Sequence, residues 1–134
     1  MLGYVTVGTN DLETSSKFYD SVFEEIGATR FWVEERFIVW ATEPDKSKFC
    51  LIKPYNEEPA TVGNGVMVAF EVSTPLIVDA MHSKALELGG NDEGAPGDRG
   101  GHFYGAYVRD LDGNKLYFFC AIYCLLYTSD AADE

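Results

Sequence analysis

Apolar and polar positions follow the same order in both halves of the chain. In the first half, the strand-like run YVTV at 4–7 precedes a segment in which apolar side chains recur every three or four residues, the spacing of an amphipathic helix. Asn10 and Asp11 are both good N-cap residues, so the helix is predicted to begin at one of them. Its predicted core face consists of apolar residues: Leu12, Phe18, Val22, Phe23 and Ile26. The runs FWVEE, RFIVWAT and KFCLIKP are rich in β-branched and aromatic residues and predict three strands.

The second half repeats this order. MVAF at 67–70 is a short strand-like run, and Thr74-Pro75 marks a second helix start, where proline fits the first turn. This helix is predicted to bury its apolar positions: Ile77, Ala80, Met81, Ala85 and Leu88. A glycine-rich segment, FYGAYVRD and KLYFFCA then predict the remaining strands.

The two halves align at fixed offsets. Tyr4 and Met67 are 63 residues apart, whereas Cys50 and Tyr117 are 67 residues apart. The alignment predicts an α+β domain over residues 1–123, in which two βαβββ repeats (1–54 and 63–121) form a curved eight-stranded sheet with helices outside. A small ligand is expected on the concave face.

Charge and composition narrow the class of protein. With 10 basic and 22 acidic residues, the net charge of −12 disfavours nucleic acid and anionic membranes as partners. No apolar run is long enough for a membrane span and no signal peptide is visible, so a cytoplasmic location is expected. The three cysteines lack metal-ligand spacing and fit a reducing compartment.

The last eleven residues, CLLYTSDAADE, differ from the rest in having no apolar periodicity. This string resembles a translated sequencing-library adapter. We therefore interpret 124–134 as a non-native tail on a metagenomic gene and exclude it from functional reasoning.

The chain resembles a known family in three stretches: GYVTVGTNDLETSSKFYD, GNGVMVAFEV followed by VDAMHSKALELGG, and FYGAYVRDLDGNKLYFFC. They are similar to the vicinal oxygen chelate superfamily of glyoxalases, bleomycin-resistance proteins and extradiol dioxygenases. The resemblance covers residues 1 to about 121 and implies a protein with a cavity for a small ligand. It also implies that two copies pair as a homodimer.

In metal-using members of that superfamily, histidine and glutamate side chains at four strand positions hold one divalent ion. The resemblance places Tyr4 and Met67 where histidines are typical, Tyr117 where glutamate is typical, and Cys50 at the more variable position. A phenol or a thioether is a poor ligand for such ions. No metal site and no other cofactor are therefore expected, although a divalent metal is the family norm.

Other candidate ligand-binding residues lie near the predicted cavity. GDRGGHFYG, 97–105, is either a flexible connection or a lid that brings Arg99, His102 and Tyr104 over the cavity mouth. Arg99 would pair with a ligand carboxylate or phosphate, and His102 would exchange a proton near neutral pH. Further ring surface is expected from Trp40 and its counterpart Tyr107, and from Phe37, Tyr117 and Phe119.

Three functions follow from these features. The favoured one is a metal-free protein that binds a small, aromatic or hydrophobic molecule, with an acidic surface that attracts cationic ligands. The second is an enzyme, a lyase, isomerase or dioxygenase; without a metal, its catalytic candidates are His102, Tyr117, Tyr4 and Cys50. The third is a structural homologue whose cavity is filled by its own side chains.

Overall fold

The structure, a computed structural model, describes residues 1–121. The first repeat consists of β1 (Tyr4–Gly8), α1 (Leu12–Phe23), a 3-10 turn (Glu24–Ile26), β2 (Thr29–Val33), β3 (Phe37–Ala41) and β4 (Lys48–Ile52). The second consists of β5 (Val68–Glu71), α2 (Pro75–Glu87), β6 (Asn91–Arg99), β7 (Phe103–Arg109) and β8 (Lys115–Ala121). The predicted α+β class with two βαβββ units is confirmed, while the interpreted tail 124–134 lies outside the described residues.

The eight strands form two four-stranded sheets. Sheet 1 has the order β1-β4-β3-β2, and sheet 2 has the corresponding order β5-β8-β7-β6. β1 pairs parallel with β4, and β5 pairs parallel with β8, whereas the remaining pairs are antiparallel. Each sheet is covered on one side by helix, and we call the opposite side of each sheet its open face.

Helix α1 begins with Asp11 as N-cap, whose side chain accepts a hydrogen bond from the Thr14 amide at 3.1 Å. The helix buries the predicted Phe18, Val22 and Phe23, and it also buries Tyr19, which is fully inaccessible to solvent. A tyrosine is not counted among strictly apolar positions, so periodicity alone did not assign Tyr19 to the core.

Helix α2 begins with Thr74 as N-cap and Pro75 in the first turn, as predicted. It buries Met81 and Ala85, but it also buries Val78 and His82, which the pattern did not assign to the core. Leu88, predicted to be buried, is 37% exposed and lies just beyond the end of the helix at Glu87. Among residues 1–121, neither helix is long and apolar enough to span a bilayer.

Aromatic side chains join the two repeats into one hydrophobic core. Phe70 of the second repeat lies 5.4 Å from Phe23 and 5.5 Å from Phe49 of the first, measured between ring centroids. Phe70 also lies 5.9 Å from Phe118 in its own sheet. The repeats are therefore packed against each other through their helix-facing sides.

The DLDGN turn between β7 and β8 links the repeats by hydrogen bonds. Asn114 donates from Nδ2 to the carbonyl of Gly8 at 2.9 Å. Asp112 accepts from the Asn10 amide at 2.8 Å and from the Ser15 hydroxyl at 2.9 Å. These contacts fix the end of β1 and the start of α1 relative to sheet 2.

Candidate functional site

Strand alternation decides which side chains reach the open faces, because successive residues point to opposite sides of a sheet. On sheet 1, Phe49 and Leu51 belong to the core, which leaves Cys50 on the open face. On sheet 2, Leu116 and Phe118 belong to the core, which leaves Tyr117 on the open face.

The four repeat-equivalent positions are only partly brought together. Tyr4 is 64% exposed, and Met67, which lies just before β5, is 42% exposed. Tyr4 and Cys50 line one groove, and Tyr4 and Met67 line a second cavity. Tyr117 lines neither of these two and instead packs within its own sheet.

The groove lies on the open face of sheet 1 and has a volume of about 400 Å³. Most of its wall is aromatic or aliphatic: Tyr4, Phe31, Trp32, Phe37, Val39 and Ile52. Trp32 and Phe37 meet edge to face with ring centroids 5.2 Å apart. Trp32 is 54% exposed, so its ring is accessible to a molecule in the groove.

Four polar side chains complete the groove: Thr6, Arg36, Lys48 and Cys50. The Nη1 atom of Arg36 is buried and has no hydrogen-bond partner. Lys48 donates from Nζ to the carbonyls of Pro44 at 2.8 Å and Lys46 at 3.0 Å. Burial raises the pKa of the Cys50 thiol, against the opposing effects of a hydrogen bond with Thr6 and the charge of Arg36.

The second cavity, of about 370 Å³, lies where the edge strands β1 and β5 approach each other. Tyr4 and Val5 line it from sheet 1, and Met67, Val68 and Ala69 line it from sheet 2. Core rings, including that of Trp40, form part of its wall. Core side chains therefore form part of this cavity, while Tyr4 and Lys48 line both it and the groove.

Trp40 and Tyr104 both lie on the helix-facing sides of their sheets, although Trp40 was predicted to add ring surface to the cavity and Tyr104 to lie at its mouth. Trp40 is 1% exposed and donates from Nε1 to Asp20 of α1 at 2.9 Å. Tyr104 donates its hydroxyl to Asp79 of α2 at 2.7 Å.

A difference in loop length explains why Trp40 and Tyr107 lie on opposite sides of their sheets. Six residues connect β3 to β4, at 42–47, whereas five connect β7 to β8, at 110–114. The offset of 67 that aligns Cys50 with Tyr117 therefore becomes 68 in the preceding strands, since Val39 pairs with Cys50 and Tyr107 pairs with Tyr117. A slip of one residue reverses the face of every side chain in a strand, so Tyr107 corresponds to Val39 and not to Trp40.

A ladder of aromatic rings covers the open face of sheet 2. Tyr107 and Tyr117 stack with centroids 4.3 Å apart, and Tyr117 and Phe119 stack at 5.1 Å. Phe103 meets Phe119 edge to face at 5.3 Å. Tyr117 is 7% exposed, and burial together with the neighbouring Tyr107 raises the pKa of its hydroxyl.

Arg99 and His102 lie at the glycine-rich segment, which is a β-hairpin in the structure. β6 extends through Arg99, which pairs with Phe103, and the turn occupies 100–102. Gly100 and Gly101 have φ values of 70° and 74°, which glycine adopts without strain. The guanidinium of Arg99 lies 5.4 Å from the Tyr107 ring centroid, while His102 is exposed at the turn. The arrangement is that of a paired strand end, not of a separate lid.

The side chains present do not fit the divalent ion that the resemblance implies. Two phenols, a thiol and a thioether occupy the four equivalent positions, and hard divalent ions favour imidazole and carboxylate ligands. Among residues 1–121, no three histidine, cysteine or acidic side chains are placed to hold a metal ion together.

Sequence reasoning did not single out Arg36, Lys48, Phe31 or Trp32 as groove residues. The run FWVEERFIVW gives one signal: Arg36 is a cation at a strand start, next to apolar and aromatic residues. The pattern does not show which side of the hairpin its guanidinium reaches, because turn residues follow no fixed alternation.

Comparisons with known proteins agree with this architecture. A family model described as the Glyoxalase/Bleomycin resistance protein/Dioxygenase superfamily matches residues 1–118. The chain is similar to the crystal structure of a glyoxalase/bleomycin resistance protein from Albidiferax ferrireducens, with 36% identity and a TM-score of 0.82 over 90% of this chain and 98% of that one.

Two further solved structures share the fold at lower identity. A glyoxalase/bleomycin resistance protein/dioxygenase family enzyme from Burkholderia phytofirmans is 22% identical, with a TM-score of 0.69 over 88% of this chain and 96% of that one. A lactoylglutathione lyase from Agrobacterium tumefaciens is 18% identical, with a TM-score of 0.66 over 90% of this chain and 92% of that one. No curated protein matches the sequence significantly.

Proposed function

The chain belongs to the glyoxalase/bleomycin resistance protein/dioxygenase superfamily, and from this we propose that it binds a small aromatic or hydrophobic molecule without using a metal ion. The observation that carries the proposal is the groove of about 400 Å³ on the open face of sheet 1. Small-molecule sites are typically concave and apolar, with a few polar groups that set orientation. The groove has this composition.

The metal-free part of the proposal rests on the chemistry of the donor set. Tyr4, Cys50, Met67 and Tyr117 supply no imidazole and no carboxylate at the family's ligand positions. Metal analysis of protein purified without chelators tests this directly. We expect less than stoichiometric divalent ion, and a tightly bound stoichiometric ion would contradict the proposal.

Binding is favoured over metal-free acid–base catalysis because of the environment of the candidate groups. Burial raises the pKa of both Cys50 and Tyr117, which leaves less thiolate and phenolate at neutral pH. His102 is exposed at a hairpin turn. An efficient general base needs a pKa near the working pH and a position beside the substrate, and these residues do not combine the two.

A purely structural role with a filled cavity is supported on one sheet only. The ring of Tyr117 covers the open face of sheet 2 and leaves little space beside Gly105, where an added Cβ would lie 2.6 Å from the hydroxyl oxygen. The groove on sheet 1 has no comparable filler, and Phe31 and Trp32 are about half exposed there. We therefore place the ligand against sheet 1.

We also propose that two copies form a homodimer, as the family resemblance implies. All five residues of the edge strand β2 are exposed, and Val33 is 53% exposed without lining the groove. Light scattering during size exclusion should give twice the chain mass, and Val33→Lys should shift it toward the monomer. Leu76→Lys, at a 78% exposed position on α2, is the matched control. A monomer in the unmodified protein would contradict this assignment.

A cytoplasmic site of action completes the proposal. It is supported by Cys50, which is a free thiol in the structure, and free thiols are typical of a reducing compartment. Fractionation of cells that express the chain with a C-terminal tag would test it, and recovery outside the cytoplasm would contradict it.

Ligand binding itself is tested by a thermal-shift screen of small aromatic compounds. A ligand that binds only the folded state raises the Tm with concentration. Thr6→Trp, which fills the groove, should abolish the shift, whereas Thr61→Trp, at an exposed position in the connection between the repeats, should not. Unchanged binding in Thr6→Trp would contradict the location, and chemical conversion of the bound compound would favour the enzyme alternative.

A further inference from the structure

We propose that the groove on sheet 1 selects anionic aromatic molecules, with the guanidinium of Arg36 as the partner of the ligand's carboxylate. This inference rests on the proposed function, since it names the class of ligand for the same groove. It reverses the expectation, based on net charge, that the acidic surface would favour cationic ligands.

The charge of the groove is opposite to that of the whole chain. The chain carries −12 overall, yet the charged residues that line the groove are Arg36 and Lys48, with no aspartate or glutamate among the lining residues. Of the eight other lysine and arginine residues, four form ion pairs with carboxylates: Lys17, Arg30, Lys84 and Arg109. The two groove cations form no such pair with any described residue.

Arg36 also lines a neighbouring pocket with Glu35, Glu57 and Glu58, but contacts inside the groove are expected to outweigh the field of acidic residues that do not line it. Charges separated by more than about 10 Å are largely screened at ordinary salt. A partly desolvated pair at contact distance is screened much less. The preferred charge of the ligand is therefore expected to depend on Arg36 and Lys48 and not on the net charge of the chain.

Arg36 carries an unmet hydrogen-bonding requirement. Its Nη1 atom is buried and has no hydrogen-bond partner, which is destabilising for a buried polar group. The guanidinium carbon lies 5.2 Å from the centroid of the Tyr55 ring. Arginine keeps its charge at all physiological pH values, and its planar donors match the two oxygens of a carboxylate. Because Arg36 lines the groove, a ligand carboxylate there would be attracted by its guanidinium, whereas an ammonium group would be repelled.

The walls of the groove suit a planar ring attached to that carboxylate. Trp32 donates from Nε1 to Glu34 at 2.9 Å, and its ring meets Phe37 at 83°. The indole is therefore held in one orientation while remaining accessible. Lys48 lies 5.0 Å from the centroid of the Phe31 ring, so a second positive charge is placed at the aromatic wall.

Three matched probes separate ligand charge from ligand shape: 2-naphthoate, 2-naphthamide and 2-naphthylmethylammonium. Titration calorimetry on the full chain measures affinity, and NMR of the indole N–H groups locates binding. The chain has two tryptophans, of which Trp32 lines the groove and Trp40 is buried on the other side of the sheet. We expect naphthoate to bind most tightly and to shift the Trp32 signal, which Trp32→Phe identifies by its loss.

Variants of Arg36 test the assigned contact. Arg36→Gln should weaken naphthoate binding roughly tenfold or more, as expected for loss of a hydrogen bond between charged groups, while binding of naphthamide changes little. Arg36→Lys keeps the charge without the planar donors. Its affinity for naphthoate should lie between those of the unmodified protein and Arg36→Gln. Lys46→Gln makes the same change of net charge at an exposed position outside the groove and should leave affinity unaltered.

The outcomes distinguish this inference from the function on which it rests. If none of the three probes binds, small aromatic ligands and hence the proposed function are contradicted. If naphthamide or the ammonium probe binds as tightly as naphthoate, or if Lys46→Gln weakens naphthoate as much as Arg36→Gln does, only the selection of anions by Arg36 is overturned. Tm values of the unliganded variants confirm that each one folds.

Discussion

The hydroxyl of Tyr19 donates a hydrogen bond to Oδ2 of Asp110, which lies 91 residues further along the chain. Tyr19 is fully buried and Asp110 is 2% exposed. Burial raises the pKa of Tyr19 well above its usual value, and the negative charge of Asp110 adds to this, so the hydroxyl stays protonated and acts as the donor. This bond joins α1 of the first repeat to the turn between β7 and β8 of the second.

Tyr19→Phe is expected to destabilise the fold by about 1–3 kcal/mol, because it leaves a buried carboxylate without one of its donors. The midpoint of urea unfolding measures the change. Tyr55→Phe, at an 88% exposed position, removes the same hydroxyl from the surface and should alter stability by no more than about 0.5 kcal/mol. Equal effects of the two substitutions would contradict the role assigned to the Tyr19 bond.

Gly105→Ala should displace the ring of Tyr117. An added Cβ would lie 2.6 Å from the Tyr117 hydroxyl and 2.7 Å from its Cζ atom, so we expect a loss of about 1–3 kcal/mol from overpacking. The same substitution in a Tyr117→Leu background should cost less, because the obstructing atoms are absent. Chemical denaturation of the four proteins in this cycle gives the coupling energy.

Gly3→Ala is the control for that cycle, since no heavy atom lies within 4 Å of an added Cβ there. Its effect on stability should be small in both backgrounds. A cost of Gly105→Ala that does not depend on residue 117 would show that backbone conformation, and not the Tyr117 ring, limits the position.

The ion pair between Arg30 and Asp20 should make stability depend on acid pH. Burial alone would raise the pKa of Asp20, but hydrogen bonds from Arg30 and Trp40 lower it below the usual 3.8. The native carboxyl therefore binds a proton more weakly than the unfolded one. Its stabilisation is fully present above pH 3.8 and is lost as pH falls through the lower native pKa.

Arg30→Gln tests this pH dependence. The variant should be less stable than the unmodified protein at neutral pH, and the difference should shrink below pH 3.8 as Asp20 is protonated. Urea unfolding at several pH values measures the difference. Lys17→Gln, which removes an exposed pair with Glu13, should change little at any pH. A constant difference for Arg30→Gln across the acid range would contradict the assignment.

Tyr104 should ionise at unusually high pH. Its hydrogen bond to Asp79, with burial as a further cause, raises its pKa to about 12 from 10.0. Because the native state holds this proton more tightly than the unfolded state, the contribution of Tyr104 to stability declines as pH rises above 10.0. NMR titration of labelled tyrosine Cζ signals measures the pKa, and Tyr104→Phe identifies the resonance.

Asp79→Ala should bring the Tyr104 titration back toward that of an ordinary tyrosine, because it removes both the acceptor and its charge. Asp45→Ala removes one charge at an exposed loop position and should leave the titration unchanged. If both variants lower the pKa equally, net charge and not the hydrogen bond to Asp79 is responsible.

Local sequence patterns predicted the strands and helices well. Asp11 and Thr74 start their helices where side-chain capping predicts, because an N-cap depends on residues within one turn. The two βαβββ units follow from periodicity and from the repeat, which needs no knowledge of distant contacts. The repeat also placed Cys50 and Tyr117 at equivalent positions on the two open faces.

Tertiary structure decided the features on which function depends. Trp40 and Tyr107 lie on opposite sides of their sheets because the two repeats differ by one residue in a loop, and a one-residue slip reverses the face of every side chain in a strand. Whether Arg36 has a partner depends on which side chains from separate strands surround its guanidinium. By itself, the sequence determined the fold. It also determined that Tyr4, Cys50, Met67 and Tyr117 are neither histidine nor acidic residues. Both are properties of local pattern and residue type. Only the packing of the strands decided where a groove opens and which charge lines it.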